Sequence, residues 1–374
     1  MEFKLIIKKI HNELTAEEQV EFDRWYAESE KHRSYFKNVS ENYRKPPGKI
    51  DVEKAYHKII PRLTGRKTLL RYTAVAAAAV IAAIIAIPFF VQKENIETSV
   101  PVTKTESQIK IGTDKAVLTL DDGTRVALEK GSSYKSNNAS SNGSELVYDP
   151  AGTPEPVITY NTLTIPRGGQ FFITLADGTK VWLNSETELK YPVNFIKGKP
   201  RKVELVYGEA YFDVSPGSQH NGSTFLVTSQ NQNIEVLGTE FNVRAYKSDS
   251  YIATTLVEGK VTVGHQDLIK ELTPGNQSKL NLATHTIQIS PVDIQDEISW
   301  KEGLFSFKNK TLEEIMLQLS RWYNVAIEIE NTEAGRTKFN GVFNKNQHLE
   351  NILLIIENTN EAKFEKIENK IIMK

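Results

Sequence analysis

The sequence predicts a multidomain protein: a small all-α domain, one transmembrane helix, an all-β domain of sandwich or roll-like form, and a C-terminal α+β module of β-α-β-β-α-β order. Three observations in the 374-residue chain predict this class. No charged residue occurs between Arg71 and Lys93, the stretch LTLDDGTRVAL returns as ITLADGTKVWL, and a strand–helix–strand pattern occurs twice after residue 298. A chain of this length has room for roughly two to three domains.

Composition excludes several classes of function. The net charge is −1, so no overall basic field indicates direct nucleic-acid binding. The chain has no cysteine, which excludes thiol catalysis, cysteine-ligated zinc and disulfides. Its seven histidines lack metal-ligand spacing, and no serine lies in a Gly-x-Ser-x-Gly context. We therefore expect no cofactor, no metal site and no enzyme, apart from one candidate for self-cleavage.

Residues 1–71 carry helix signals and almost no strand chemistry. Thr15 followed by Glu18 is a capping-box pattern, and Phe22, Trp25 and Tyr26 then recur at helical spacing. Such an aromatic stripe is more typical of a core than of an interface, yet these three are also the candidate contact surface for a cytoplasmic partner. Apolar spacing predicts two further helices, one with Leu5, Ile6 and Ile10 and one with Val52, Tyr56, Ile59 and Leu63, which Pro61 would end or kink.

Residues 72–92 form the predicted transmembrane helix. At about 1.5 Å per residue, this segment is long enough for a hydrocarbon core of about 30 Å, and it lacks the polar face of a soluble helix. Its distance from the N-terminus argues against a signal peptide. The basic flank precedes the segment, so the positive-inside rule predicts residues 1–71 in the cytoplasm and the chain after Lys93 outside it. This flank comprises Arg62, Arg66, Lys67 and Arg71, whereas Glu94 and Glu97 follow Lys93.

After a linker with the first outer strands at 93–116, the repeated stretch predicts two equivalent hairpins in an all-β domain at 117–290. A three-residue loop places Ile173 opposite Val181 and puts the apolar residues of each copy on one face. Such a loop is a type I turn followed by a glycine in the left-handed conformation. The acidic turn residues offer too few spaced oxygens for calcium, so turn chemistry is the better interpretation. The turn residues are Asp122 and Gly123 in the first copy and Asp177 and Gly178 in the second.

Between the two copies, GSSYKSNNASSNGSE predicts an exposed loop, because it is polar and lacks apolar periodicity. Residues 298–374 predict the α+β module. Thr311 and Glu314 form a second capping-box pattern, and each of two strand–helix–strand units carries one apolar helical face. The two helical faces comprise Leu312, Ile315, Met316, Leu319 and Trp322, and then Leu349, Ile352, Leu353 and Ile356.

Five motifs carry a family resemblance. LADGTKVWLNSETELKYP, GEAYFDV, VLGTEFNV, LVEGKVTV and LTPGNQSKL occur in this order and closely resemble the FecR family of membrane-spanning anti-sigma regulators. The C-terminal module resembles the STN-type signalling module of FecR-like proteins from Bacteroidetes, and LTAEEQVEFDRWYAES resembles the family's anti-sigma domain. The order of helical segment, span and β-rich exterior agrees with the same family.

The resemblance implies a function and partners. It implies a single-pass inner-membrane protein with a cytoplasmic N-terminus and a periplasmic C-terminus. It would relay a signal from the signalling domain of a TonB-dependent outer-membrane transporter to a cytoplasmic sigma factor of the extracytoplasmic-function (ECF) class, and so regulate transcription. Phe22, Trp25 and Tyr26 would then contact the sigma factor.

Gly238-Thr239 matches the Gly-Thr at which some FecR-like proteins are thought to cleave themselves. The Thr239 hydroxyl would attack the Gly238 carbonyl carbon and convert the amide to an ester, which water then opens. This step needs a strained peptide and a proton acceptor. The alternative interpretation is a glycine at a bulge or tight bend.

A different class of function is a membrane-tethered periplasmic carbohydrate-binding or interaction protein. In that case exposed Trp182 or Tyr191 would serve as sugar platforms. Aromatic residues in strands are more often packed.

Overall fold

The computed structural model describes residues 9, 14–28, 33, 36, 109–136, 138–149, 158–359 and 362–374. The chain divides into two compact units, Met1–Lys104 and Thr105–Lys374. The expected helix around residues 5–10, apart from Lys9, the expected helix at 52–63 and the expected span at 72–92 lie outside the described residues. Within the described ranges, no helix has both the length and the apolar character needed to cross a membrane.

In the first unit, helix α1 (Ala16–Glu28) begins as its sequence predicts. The Thr15 hydroxyl accepts a hydrogen bond from the Glu18 backbone N–H at 3.3 Å, and the Glu18 carboxylate accepts one from the Thr15 N–H at 3.0 Å. This reciprocal pairing is the expected capping box. Phe22 is buried and packs against Trp25 and Phe36, with ring centroids 5.9 and 5.0 Å away.

The second unit contains a large all-β domain of eighteen strands, as the sequence predicts. Period-2 burial marks its strands: in β7, every other residue faces the core. The strands are β1 Thr113–Thr119, β2 Arg125–Glu129, β3 Tyr134–Lys135, β4 Ala139–Ser141, β5 Glu145–Tyr148, β6 Tyr160–Ile165, β7 Gly169–Thr174, β8 Lys180–Leu183, β9 Thr187–Pro192, β10 Arg201–Asp213, β11 Phe225–Ser229, β12 Gln232–Val236, β13 Glu240–Ala245, β14 Tyr251–Glu258, β15 Val261–His265, β16 Leu268–Leu272, β17 Asn276–Asn281 and β18 Ile287–Pro291.

Pairing divides these strands into two sheets that share β10 and are also connected by a short parallel pairing of β1 with β7. One sheet has the order β2-β1-β6-β9-β10-β11-β12-β15-β16, and the other has β3-β4-β5-β7-β8-β10-β13-β14-β17-β18. A bulge between Leu205 and Tyr207 lets β10 pass from one sheet to the other. Gly208 follows with φ +104°, and a Cβ there would overlap Thr187. Only glycine fits this crossing.

The repeated stretches form two hairpins with the predicted register. Ile173 lies opposite Val181, and Leu118 lies opposite Val126. Their glycines, Gly178 and Gly123, have φ of +81° and +83°. The inward residues of both copies join one apolar core between the sheets.

The prediction of an exposed loop between the copies is wrong. Residues 134–135 and 139–141 form the antiparallel strands β3 and β4, which continue the second sheet through β5. Ala139 and Ser141 are buried. Strands this short carry too few residues to display apolar alternation, so tertiary pairing overrides the local composition.

The C-terminal module follows the predicted strand–helix order with two additions, a short helix α4 and an extra strand in a final hairpin. Asn331 caps α4 by accepting hydrogen bonds from two backbone N–H groups. The apolar core of the C-terminal module is separate from that of the β domain. The elements are α2 Ile294–Ile298, which joins it to the β domain, then β19 Leu304–Thr311, α3 Leu312–Tyr323, β20 Ala326–Ile329, α4 Thr332–Arg336, β21 Lys338–Asn344, α5 Leu349–Glu357, β22 Phe364–Ile367 and β23 Lys370–Met373.

Candidate functional site: the joint between the β domain and the C-terminal module

The C-terminal end of α3 meets the β domain at a polar joint. We use "joint" for the contacts of residues 320–325 and Lys345 with residues 109–114, 166–170, 186 and 246–249. Arg167 donates from Nη2 to the carbonyl oxygens of Ser320 and Val325 at 2.7 and 2.8 Å. The Gly168 N–H donates to the Arg321 carbonyl at 2.7 Å. The Ser320 carbonyl also accepts from the local Asn324 and Val325 N–H groups. Carbonyls in the last turn of a helix commonly lack partners within it, and the β domain supplies the donor for that of Arg321.

Arg321 is the central cation of the joint. It is 4% exposed, and its guanidinium lies 3.7 Å from the centroid of the Tyr246 ring. It donates to the Ser248 hydroxyl at 2.7 Å and forms ion pairs with Asp249 at 3.6 Å and Glu186 at 3.5 Å. Its Nη1 is buried without a hydrogen-bond partner among the described residues. The guanidinium is therefore held by β-domain groups but not saturated by them.

Asp249 links Arg321 to a second arginine of the β domain, Arg244. Arg244 donates to the Asp249 carboxylate from Nε at 2.7 Å. Burial raises the pKa of the Tyr246 hydroxyl, which donates to the Ser185 carbonyl at 3.2 Å. The joint therefore stacks two arginines on one aromatic ring and shares one carboxylate between them.

Lys345 is the second buried cation of the joint. Its Nζ donates to Gln170 Oε1 at 2.8 Å and lies 3.8 Å from the centroid of the Trp322 ring. Trp322 in turn donates from Nε1 to the Lys345 carbonyl at 2.9 Å. Burial lowers the pKa of Lys345 from 10.5 to about 7, although the negative charges of Glu209 and Asp114 act to raise it.

A small cleft lies beside the joint. Arg244, Tyr246, Arg321, Trp322 and Glu209 are among the residues that line it. The Glu209 carboxylate accepts from Asn184 Nδ2 at 2.8 Å and from Asn242 Nδ2 at 3.1 Å. Cations, carboxylates and aromatic rings alternate here, and the described residues include no group of three or more metal-ligating side chains.

Comparison with known proteins identifies both parts of the second unit. Residues 161–262 match the FecR protein family, and residues 304–373 match the FecR C-terminal family. The chain belongs to the FecR family. This confirms the family assignment from the five motifs.

Two solved structures resemble this FecR-family chain. Both are crystal structures of a proposed anti-sigma factor from Parabacteroides distasonis, at 1.65 and 2.50 Å resolution. They are 29% and 28% identical to the chain, each with a TM-score of 0.52, and each match covers 57% of this chain and 98% of the other. No curated protein matches the chain.

The self-cleavage candidate of this FecR-family protein lies away from the joint. Thr239 is 5% exposed, and its hydroxyl donates to the Lys260 carbonyl at 2.9 Å. The residues that follow form a bulge between Glu240 and Phe241. Among the described residues, no carboxylate or imidazole is hydrogen-bonded to the Thr239 hydroxyl. Self-cleavage between Gly238 and Thr239 stays a prediction.

The two proposed sugar platforms are not free. Tyr191 is fully buried, so its interpretation as an exposed platform is wrong. Its hydroxyl lies 3.3 Å from that of Tyr148, and desolvation raises the pKa of both. Trp182 packs between Phe172 and Tyr211, with centroids 4.8 and 5.7 Å away. Trp182 is half-buried and lies on the face of β8 opposite the buried Val181 and Leu183.

The remaining sequence-predicted residues lie outside the joint. Phe22 is 3% exposed and forms the small core around α1, whereas Tyr26 is 36% exposed. Asp122 and Asp177 each accept a hydrogen bond from the backbone N–H two residues later, at 2.8 and 3.0 Å.

Sequence reasoning missed the joint because its residues carry no local signal. Arg321 in the last turn of α3 resembles an ordinary cation at a helix C-terminus. Its partners Ser248 and Asp249 are far away in sequence.

Proposed function

We propose that this protein is a single-pass inner-membrane regulator that relays a signal from a TonB-dependent outer-membrane transporter to a cytoplasmic ECF sigma factor. Residues 1–71 bind the sigma factor, residues 72–92 cross the membrane, and the second unit receives the transporter's signalling domain. FecR family membership supports the anti-sigma role. The uncharged segment with its basic N-terminal flank supports the topology.

The joint is the observation that carries this proposal. The C-terminal module and the β domain keep separate large apolar cores, and at the joint they meet mainly through hydrogen bonds and ion pairs. A smaller apolar cluster, of Tyr211 with Ile298 and Trp300, lies where the chain passes into the module. Polar contacts of this kind permit one domain to move against another. A partner that binds one of them can therefore change its contact with the other, which is what a relay requires.

The protein acts in this proposal as a regulator and not as an enzyme. Thr239 is the strongest nucleophile candidate in the sequence, and its hydroxyl donates to a backbone carbonyl. A carbonyl oxygen is too weak a base to activate a hydroxyl.

Capture of a sigma factor by the full-length protein tests the proposal. The tagged protein is extracted from membranes and mixed with each purified ECF sigma factor of the same cell. We expect one to be retained, and we expect Tyr26→Ala to weaken retention about fivefold or more, because exposed aromatics often anchor interfaces.

The matched control is Val20→Ala, which changes another exposed residue of α1. Retention of no sigma factor would contradict the proposal. Equal retention by a chain without residues 1–71 would contradict it as well.

A further inference from the structure

The chain leading into β1 packs into the core of the C-terminal module. Ile109 is 4% exposed and belongs to the same apolar cluster as Trp322. Ile111 packs against this cluster, whereas Lys110 between them is exposed. This alternation is that of an extended segment with one face buried. Residues from the N-terminal side of the β domain therefore complete the core of a module that begins far later in the sequence.

Gly112 brings this segment against an aromatic ring. A Cβ on Gly112 would lie 2.5 to 2.7 Å from three atoms of the Trp322 indole. The indole is fixed because its Nε1 donates to the Lys345 carbonyl. Only glycine permits this approach of backbone to ring. The segment therefore fits a formed surface of the module.

One turn of the β domain binds both the segment and the module. The Thr113 N–H donates to the Gly168 carbonyl at 3.0 Å, and the Gly168 N–H donates to the Arg321 carbonyl at 2.7 Å. Arg167 in the same turn caps α3. Opening the contact between Arg167 and α3 therefore also loosens the cover on residues 109–112.

The polar groups of the joint can be solvated when the module separates. Arg321 leaves carboxylates and a hydroxyl, and Lys345 leaves an amide oxygen, all of which water can solvate. Burial of these cations costs desolvation free energy that separation returns. Within the joint, separation loses the apolar contacts of Ile109 and Ile111 and the stacking of Arg321 on Tyr246. A further apolar contact, of Ile298 and Trp300 with Tyr211, lies where the chain passes from the β domain into the module.

We propose that the C-terminal module is a removable cover over residues 109–112. A partner that draws the module away from the β domain uncovers this segment, which leads to the predicted span. The inference rests on the proposed function for its partner, the transporter's signalling domain. Beyond that function, residues 109–112 are the segment that responds to the partner, and the surface of the module around Trp322 is what holds them. Residues 109–112 are covered in the resting protein and accessible in the engaged one.

Cleavage at Lys110 by a lysine-specific endoprotease measures the cover in the full-length protein in detergent micelles. Mass spectrometry follows the fragment that begins at Ile111. The reference is the fragment that begins at Gly198, because Lys197 lies exposed in the turn between β9 and β10. In the wild type, we expect cleavage at Lys110 to be slower than at Lys197, although both lysines are exposed, because a protease needs the surrounding backbone free.

Arg167→Ala removes two hydrogen bonds of the joint and leaves both cleavage sites unchanged. We expect it to accelerate cleavage at Lys110 about 5- to 30-fold with no change at Lys197, since cleavage follows the population of the open form. Arg125→Ala, at an exposed position of β2, is the matched control and should change neither rate. If Arg167→Ala also accelerates cleavage at Lys197, this variant has unfolded the β domain. The cleavage rate at Lys110 in Ile109→Ala then tests the inference instead.

Two outcomes would overturn the inference. One is cleavage at Lys110 as fast as at Lys197 in the wild type. The other is an unchanged Lys110 rate in both Arg167→Ala and Ile109→Ala. The proteolysis assay contains no sigma factor. A negative result in proteolysis therefore leaves the sigma-factor capture result unaffected, and a negative capture result leaves the protection at Lys110 unaffected.

Discussion

At the scale of single residues, Lys345 makes the joint sensitive to pH. Its ammonium is buried against Gln170 and the Trp322 ring, and burial lowers its pKa to about 7. The unfolded chain, with a lysine pKa near 10.5, binds more protons than the folded one between these two values. Stability therefore rises with pH across this window and is at its lowest below pH 7.

The expected slope for Lys345 is at most about 1.4 kcal/mol of unfolding free energy per pH unit between pH 7 and 9.5. Lys345→Met should remove this slope, because it removes the titrating group. Urea unfolding of wild type and variant at pH 6.5, 8 and 9.5 measures the difference. Lys199→Met, in an exposed turn, is the control and should keep the wild-type slope. Equal slopes for Lys345→Met and wild type would contradict the account.

The two hairpin aspartates differ in what surrounds them. Asp177 is 2% exposed at its side chain and pairs with the equally buried Arg201 at 2.7 Å. Arg201 also donates to the carbonyls of Ser215 and Ser223. Asp122, at the same position of the first copy, is exposed, and the Thr124 backbone N–H lowers its pKa. The repeat therefore provides a matched pair of substitutions.

We expect Asp177→Ala to lower the free energy of unfolding by about 3–5 kcal/mol, because it leaves Arg201 buried and unpaired. Asp122→Ala removes only a solvent-exposed turn contact and should lower it far less. Thermal unfolding followed by circular dichroism compares the two variants. Losses of similar size would show that the buried ion pair contributes nothing beyond the turn.

At the scale of elements, α3 begins and ends by different means. Its first turn is a local capping box, in which Thr311 and Glu314 satisfy each other's backbone N–H groups at 3.2 and 2.8 Å. Its last turn has a local cap, in which left-handed Asn324 donates its N–H to the Ser320 carbonyl, and it also accepts hydrogen bonds from Arg167 and Gly168 of the β domain. The start of the helix is therefore encoded within four residues, whereas its end combines a local cap with donors from a distant domain.

We expect Thr311→Ala to destabilise the module by about 1 kcal/mol, because the cap oxygen is lost. Thr311→Ser keeps that oxygen and should retain most of the stability. Hydrogen exchange at the backbone amides of Glu313 and Glu314 measures the effect directly. Equal exchange in the two variants would mean that the cap does not hold the helix start.

These elements explain which features could be predicted from the sequence. The hairpin register of Ile173 and Val181 follows from a two-residue period and a glycine, and both capping boxes follow from residues three apart. Strands β3 and β4 were missed because pairing, not composition, forms them. The contact of Ile109 with the module was missed because it joins residues far apart in sequence. Local chemistry predicts elements, but long-range packing places them together.

At the scale of the whole molecule, the second unit has two large apolar cores, which are joined by polar contacts, by the segment around Ile109 and by a small apolar cluster around Trp300. The family matches cover residues 161–262 and 304–373, and residues 109–112 lie outside both. That segment belongs in sequence to the approach from the predicted span and in space to the C-terminal module. A signal that reaches the module would thus have a direct physical route toward the predicted span.

The most direct test of this account is the side of the membrane on which each unit lies. The chain contains no cysteine, so Glu17→Cys and Lys199→Cys each introduce a single reactive thiol at an exposed position. Intact spheroplasts are treated with a membrane-impermeant maleimide. The account predicts labelling at position 199 before lysis and at position 17 only after lysis, and labelling of both positions in intact spheroplasts would contradict it.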